Sequence, residues 1–142
     1  MAELERRLGY RFRAPRLLEQ ALTHASFANE HPPAADQSRL AFLGDAALAL
    51  VVADRLMADD PTAPVGVLTA QRAERVTDAR LARWAAGLEL GALLRLGRGE
   101  DQSGGRARDS ILASTLEAVL GAIYAESGLD ALRDTVARLI AW

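Results

Sequence analysis

Cysteine is absent from this 142-residue chain, and so is lysine: all 17 basic side chains are arginine. Without cysteine there is no disulfide framework, no thiolate nucleophile and no zinc-thiolate site. Aromatic residues are only 5% of a chain that is 50% hydrophobic, so the core must be built from leucine, alanine and valine. That composition favours helix. The most apolar stretch, Leu40 to Ala53, is too short for a membrane span and carries Asp45 near its centre. The opening, Met-Ala-Glu-Leu-Glu-Arg-Arg, is not a signal peptide, and with the lack of cysteine it sets a cytoplasmic location as the expectation. A formal net charge of −2 argues against a generally basic nucleic-acid binder. Arginine forks match phosphate in bidentate fashion, but exclusive arginine usage is read first as genomic base composition. The length suits one domain, residues 1–142, with a real core.

What is present is organised around Arg39-Leu-Ala-Phe-Leu-Gly-Asp-Ala-Ala-Leu-Ala-Leu-Val-Val-Ala-Asp54, whose only charge between Leu40 and Ala53 is Asp45. A helix apolar all round is normally a buried central helix, and an isolated carboxylate there is costly unless paired or bound to a metal. Ile111 to Ala125 repeats the pattern with one charge, Glu117. Each stretch has an interior glycine, Gly44 and Gly121. Glycine costs about 1 kcal/mol in a helix interior relative to alanine, which predicts a close backbone approach at both. The expectation is two central helices, each with one buried acid.

Around them the pattern predicts a short helix over Glu3–Tyr10, a helix over Arg16–Phe27 opened by Pro15, and a loop over Asn29–Ser38. Ser38 is the expected cap of the central helix, which ends near Ala58. A third helix is expected over Val67–Trp84, then a short turn or helix over Leu88–Leu96. Leu96 to Arg108, with four glycines and three arginines, reads as a mobile, locally basic loop. It is a flexible connector or a segment able to approach phosphate, and it lacks the Gly-Lys-Ser ending of a P-loop. Asp109 is the expected cap of the second acidic helix, and Gly128 the turn into a last helix, Leu129–Trp142. No segment reads as a strand. His24 and Ser26 read as residues that hydrogen-bond locally and brace a helix end, since no nucleophile accompanies the histidine.

Residues three or four apart share a helix face. Positions 41 and 45, and 114 and 117, are such pairs. Four carboxylates there would build an oxygen cage for Mg²⁺ suited to phosphodiester hydrolysis. The chain supplies half: Ala41 with Asp45, Ser114 with Glu117.

The ordered set Tyr10-Arg-Phe12, Ala21-Leu-Thr-His-Ala-Ser-Phe-Ala-Asn29, Arg39-Leu-Ala-Phe-Leu-Gly-Asp45, Leu96-Gly-Arg-Gly-Glu100, Ser103-Gly-Gly-Arg106, Arg108-Asp-Ser-Ile-Leu-Ala113 and Glu117-Ala-Val-Leu-Gly-Ala-Ile-Tyr124 resembles the endonuclease domain of the ribonuclease III family. The family cuts double-stranded RNA with Mg²⁺. The resemblance implies an all-α, homodimeric helical bundle of that type. It makes Asp45 and Glu117 catalytic metal ligands, and Ala41 and Ser114 degenerate ligand positions where the family has glutamate and aspartate. Two further family glutamates are Ser38 and Val65 here. It places Phe42 where members pack a side chain into the partner subunit, although ordinary core remains the other reading of that residue. Arg98, Arg106 and Arg108 are the candidate RNA contacts. The family's C-terminal double-stranded-RNA-binding domain is not expected within residues 1–142.

Three functions follow as expectations. The first is a Mg²⁺-dependent double-stranded-RNA endonuclease, strongly impaired or silent because two of four acids are replaced. The second is a non-catalytic RNA-binding or scaffolding dimer, pairing with a hetero-partner nuclease or ribosomal RNA. The third is a helical interaction domain with no RNA role, its two acids paired to arginines.

Overall fold

The computed structural model describes residues 1–140. Its helices are α1 (Ala2–Leu8), α2 (Pro15–Ala21), α3 (Ala25–Glu30), α4 (Ser38–Asp59), α5 (Val65–Arg75), α6 (Asp78–Gly87), α7 (Leu90–Leu93), α8 (Arg98–Gln102) and α9 (Asp109–Leu139), with one 3₁₀ turn at Gly105–Ala107. Among the described residues there is no strand, only an isolated bridge between Thr23 and Arg95, so the expected all-α class holds. No helix among them is long and apolar enough to cross a membrane.

The core is the crossing of α4 and α9. Leu48, Val51, Val52 and Leu56 from α4 are buried against Leu116, Val119, Leu120 and Ile123 from α9. Leu81, Ala82 and Ala85 of α6 close a second side, and Leu4 and Leu8 of α1 a third. Gly128 (φ 82°) interrupts α9, as its position predicts, and beyond it Leu132, Val136 and Ile140 point inward. The expected last helix reached Trp142, which lies outside the described residues.

Several expectations need correction. The helix expected over Arg16–Phe27 is two helices, α2 and α3. Arg95 N–H donates to Leu22 O (2.8 Å) and His24 N–H donates to Arg95 O (3.0 Å), drawing the chain out of helical geometry at the junction. The helix expected over Val67–Trp84 begins earlier and breaks at Val76–Thr77. There Thr77 Oγ accepts the Arg80 N–H (3.3 Å), the N-cap that starts α6. Neither Ser38 nor Asp109 is an N-cap; Gln37 and Arg108 occupy those positions without side-chain caps. The Leu96–Arg108 segment is wound into α8 and the 3₁₀ turn and tied by side chains rather than left as a loop. Finally, α4 is not buried all round: Phe42, Leu50 and Met57 are exposed. One side of the helix faces the core of its own chain, and the other is an open apolar surface.

Candidate active site at the α4–α9 crossing

The site is positioned by glycine. A Cβ on Gly44 would lie 1.7 Å from the Glu117 carbonyl oxygen, and one on Gly121 would lie 2.1 Å from the Leu40 carbonyl oxygen. The two backbones therefore touch, as the interior glycines predict, and no side chain fits between them. Asp45 follows Gly44 directly, and Glu117 lies one turn before Gly121, so the acids flank the crossing from opposite helices.

Their environments differ. Asp45 is exposed and Glu117 half-buried, which corrects the expectation of two buried acids: Asp45 stands on the open side of α4. Burial pushes the Glu117 carboxyl up to about 7, helped by the negative charges of Asp45 and then Asp78. Asp78, in the first turn of α6, is a third acid near the site. Position 78 falls inside the unbroken helix expected over Val67–Trp84; the Thr77 cap is the signal that a new helix starts there.

Ala41 and Ser114, the replaced ligand positions, are brought together. With His24, Gln37, Ser38 and Ser110 they line a cavity of about 410 Å³ to which no carboxylate contributes. Gln37 is 4% exposed, and its Oε1 is buried without a hydrogen-bond partner. An orphaned buried polar atom costs about 1–3 kcal/mol. His24 caps α3: its Nδ1 accepts the Ser26 N–H (3.1 Å), and Ser26 Oγ accepts the Gly97 N–H (2.9 Å). The pair braces a helix end, as the sequence suggests, and Nδ1 acting as acceptor leaves the ring proton on Nε2.

The donor set does not make a complete metal centre. Among the described residues no group of three or more histidine, cysteine, aspartate or glutamate side chains is arranged to hold a metal ion. Asp45 and Glu117 alone are the one or two carboxylates with which a protein can hold Mg²⁺ when substrate phosphates and water complete the shell.

The three candidate RNA arginines are not equivalent. The Arg106 guanidinium donates to Leu94 O (2.6 Å) and Gly91 O (3.0 Å) and pairs with Asp101 (2.8 Å). Arg108 pairs with Glu100 and donates to Ser103 O (3.2 Å). Arg98 is exposed, and its contact to Glu30 is made by its backbone N–H (3.0 Å). Phe42 is 83% exposed, which removes the core reading of that residue. Leu50 and Met57 are also exposed on α4, and Val65 and Val67 on α5, and a cleft of about 160 Å³ between α4 and α5 is lined by Leu56, Met57, Val65 and Leu68.

An all-helical domain with two glycine-crossed helices, each carrying an acid beside the crossing, is the arrangement that the resemblance to a nuclease domain implies. A model of the ribonuclease-III-like family matches residues 14–141, and the chain belongs to that family. It is 51% identical over 136 residues to ribonuclease 3 of Streptomyces coelicolor, covering 96% of this chain and 49% of that protein. It is 49% identical over 136 residues to ribonuclease 3 of Alkalilimnicola ehrlichii, covering 96% and 58%. The chain thus spans about half to three-fifths of the length of these curated relatives. The solved nuclease domain of ribonuclease III from Campylobacter jejuni, a protein with a flexible region involved in dimer formation, superposes with a TM-score of 0.92 at 38% identity, covering 97% of this chain and 94% of that one.

Proposed function

We propose that the chain is a homodimeric ribonuclease III-type domain that engages double-stranded RNA but hydrolyses it far more slowly than a four-acid site would. The observation that carries this is the neutral cavity at Ala41 and Ser114. Catalytic ligands must be held to within about 0.5 Å by their surroundings. Here two of the four ligand carboxylates implied by the family pattern are a methyl and a hydroxyl, and burial raises the Glu117 carboxyl, disfavouring the charged form a cation needs. The residual Mg²⁺ affinity is that of a two-carboxylate site assisted by substrate phosphate.

Dimerisation is supported by the open apolar face. Phe42 at one end of α4 and the cleft at Leu56, Met57, Val65 and Leu68 near the other suit a two-fold pairing in which each Phe42 enters the partner's cleft, the same patch serving both subunits. Val65 adds apolar surface where the family pattern has a glutamate. A pairing with a four-acid relative through this face is the second reading, favoured by the same exposed surface combined with the incomplete site. A cytoplasmic location belongs to the same proposal, on the lack of cysteine in the chain.

The test is a titration of a labelled RNA duplex in Mg²⁺. The account expects saturable binding, weakening as salt rises, with the duplex recovered intact. Rapid accumulation of duplex-length-dependent products would refute the catalytic part, and no binding at low salt would refute the RNA part.

A further inference from the structure

None of the residues of α3 is buried, and its one aromatic ring, Phe27, is not among the side chains that pack on the core. Phe27 is held in a column instead. The His31 imidazole, four residues on and so on the same side of the chain, stacks on it with centroids 4.0 Å apart and planes 12° from parallel. The Arg95 guanidinium lies over the same ring, 4.3 Å from its centroid. Two planar groups this close to one centroid would overlap if they shared a face. Phe27 is therefore sandwiched, and His31 forms one end of the column.

The column is pinned before any ligand arrives. His31 Nδ1 donates to Phe27 O (3.0 Å), which fixes the tilt of the imidazole. Arg95 pairs with Glu19 and donates to Thr23 Oγ1 (3.4 Å). Pro32 and Pro33 follow His31 and restrict the backbone that leaves it. The outer end is open, for His31 is exposed. Beside it stands Arg98, whose backbone N–H donates to the Glu30 carboxylate at 3.0 and 3.2 Å. That contact sets the start of α8 against the residue before His31. Among the described residues no carboxylate pairs with the Arg98 guanidinium. The two acids nearest the column are both engaged, Glu19 by Arg95 and Glu30 by the Arg98 N–H. A fixed π-face beside an unpaired cation is the combination that holds a nucleobase and its phosphate. A base inside a duplex keeps both faces on its neighbours, so the base that fits is an unpaired one.

We propose that the His31–Phe27–Arg95 column is a stacking platform for an unpaired nucleobase of an RNA strand, with Arg98 taking an adjacent phosphate. The proposal rests on the reading that the domain engages RNA, and adds a single-strand contact to it. α3 runs from His24, on the wall of the cavity at Ala41 and Ser114, to His31. At 1.5 Å per helical residue the platform stands roughly 10 Å from that wall. A strand crossing the α4–α9 acids can therefore lay an overhanging nucleotide on it.

The test uses the full chain at low salt, with Ca²⁺ in place of Mg²⁺ so that no probe is shortened during the titration. One probe is a short single-stranded RNA with a fluorescent purine analogue at its centre. The other is an RNA duplex, blunt or with one unpaired copy of the analogue at the ends of its strands. Stacking should quench the analogue on binding. The unpaired purine should tighten duplex binding at least about fivefold over the blunt form, the worth of one stacked base. His31→Ala should abolish the quench and the gain with the fold retained by circular dichroism. His31→Phe, which keeps a π-face without the imidazole nitrogens, should preserve both. A wild type with neither signal, a gain that survives His31→Ala, or a gain lost in His31→Phe would overturn the proposal. Blunt-duplex binding without either signal would sink the platform and keep the RNA reading. Quenching of the single strand without binding of either duplex would keep the platform and sink the duplex reading. Equal competition by the free mononucleotide would overturn the assignment to an RNA strand.

Discussion

Gly44 and Gly121 are in backbone contact: a Cβ on Gly121 would come within 3.0 Å of the Gly44 backbone nitrogen and closer still to the Leu40 carbonyl. Everything at the site depends on that approach, because it sets how far apart Asp45 and Glu117 can stand. Glycine to alanine in a helix interior ordinarily gains up to about 1 kcal/mol. Here the sign reverses. Gly44→Ala or Gly121→Ala must separate two backbones, and overpacking of this kind costs about 1–3 kcal/mol or more. Gly66→Ala in α5, where no neighbouring heavy atom lies within 4 Å of the added carbon, should be neutral or slightly stabilising. Urea denaturation of the three variants checks both signs.

Glu117 gives the fold a pH signature. Its carboxyl is raised in the folded state to about 7 from an ordinary 4.5, so the folded protein binds a proton more tightly than the unfolded chain. The stability linked to this group is fully present below about pH 4.5 and is lost as pH rises through about 7. Glu3 and Glu126 are lowered, so their contributions change on the acid side of the ordinary carboxylate range. Between pH 5 and 8 the full shift corresponds to a loss of roughly 2–3 kcal/mol relative to Glu117→Gln, which solvent screening of the half-buried carboxyl reduces to about 1–2 kcal/mol. Equal pH slopes for the two proteins would show that Glu117 is not perturbed.

Phe42 separates association from folding. Its ring is 83% exposed in the single chain, so Phe42→Ala removes almost no core contact, and the monomer's intrinsic stability should change by less than about 0.5 kcal/mol. An aromatic anchor seated in a partner cleft is worth about 2 kcal/mol or more. Sedimentation equilibrium should therefore show the dimer dissociation constant rising at least tenfold.

The arginines of the Leu96–Arg108 segment should split into two classes. Arg106 holds two backbone carbonyls, Gly91 O and Leu94 O, so Arg106→Ala should cost about 1–3 kcal/mol of stability. Arg98→Ala should leave stability unchanged while weakening duplex binding and reducing its logarithmic salt slope by about 1. Calorimetry and salt-dependent binding titrations distinguish the two.

These contrasts also show where the sequence was readable. The acids and glycines of α4 and α9 were legible because each breaks a local rule: a charge in an apolar helix, a glycine in a helix interior. The break between α2 and α3 was not, because its cause is Arg95, more than seventy positions away. The state of the Leu96–Arg108 segment was misread for a related reason. Glycine and arginine composition signals mobility, whereas Arg106 and Arg108 are spent on neighbouring carbonyls and carboxylates. The exposure of Asp45 was hidden by an assumption that an all-apolar helix has a single environment. In α4 the apolar surface serves two purposes, the core and an open face, and Asp45 stands on the second. The cavity at Ala41 and Ser114 follows from residue spacing, but the unpartnered Gln37 on its wall is visible only in three dimensions.

Replacement of the acids at positions 41 and 114 is what we propose disables phosphodiester hydrolysis on this scaffold. Single-turnover cleavage of a labelled RNA duplex in saturating Mn²⁺ tests this most directly. Metal-centred charge stabilisation is worth several kcal/mol, and each 1.36 kcal/mol is tenfold in rate. The Ala41→Glu, Ser114→Asp variant should therefore cut at least about a hundredfold faster than the wild-type chain. Equal rates in the two proteins, both well above background, would contradict the account.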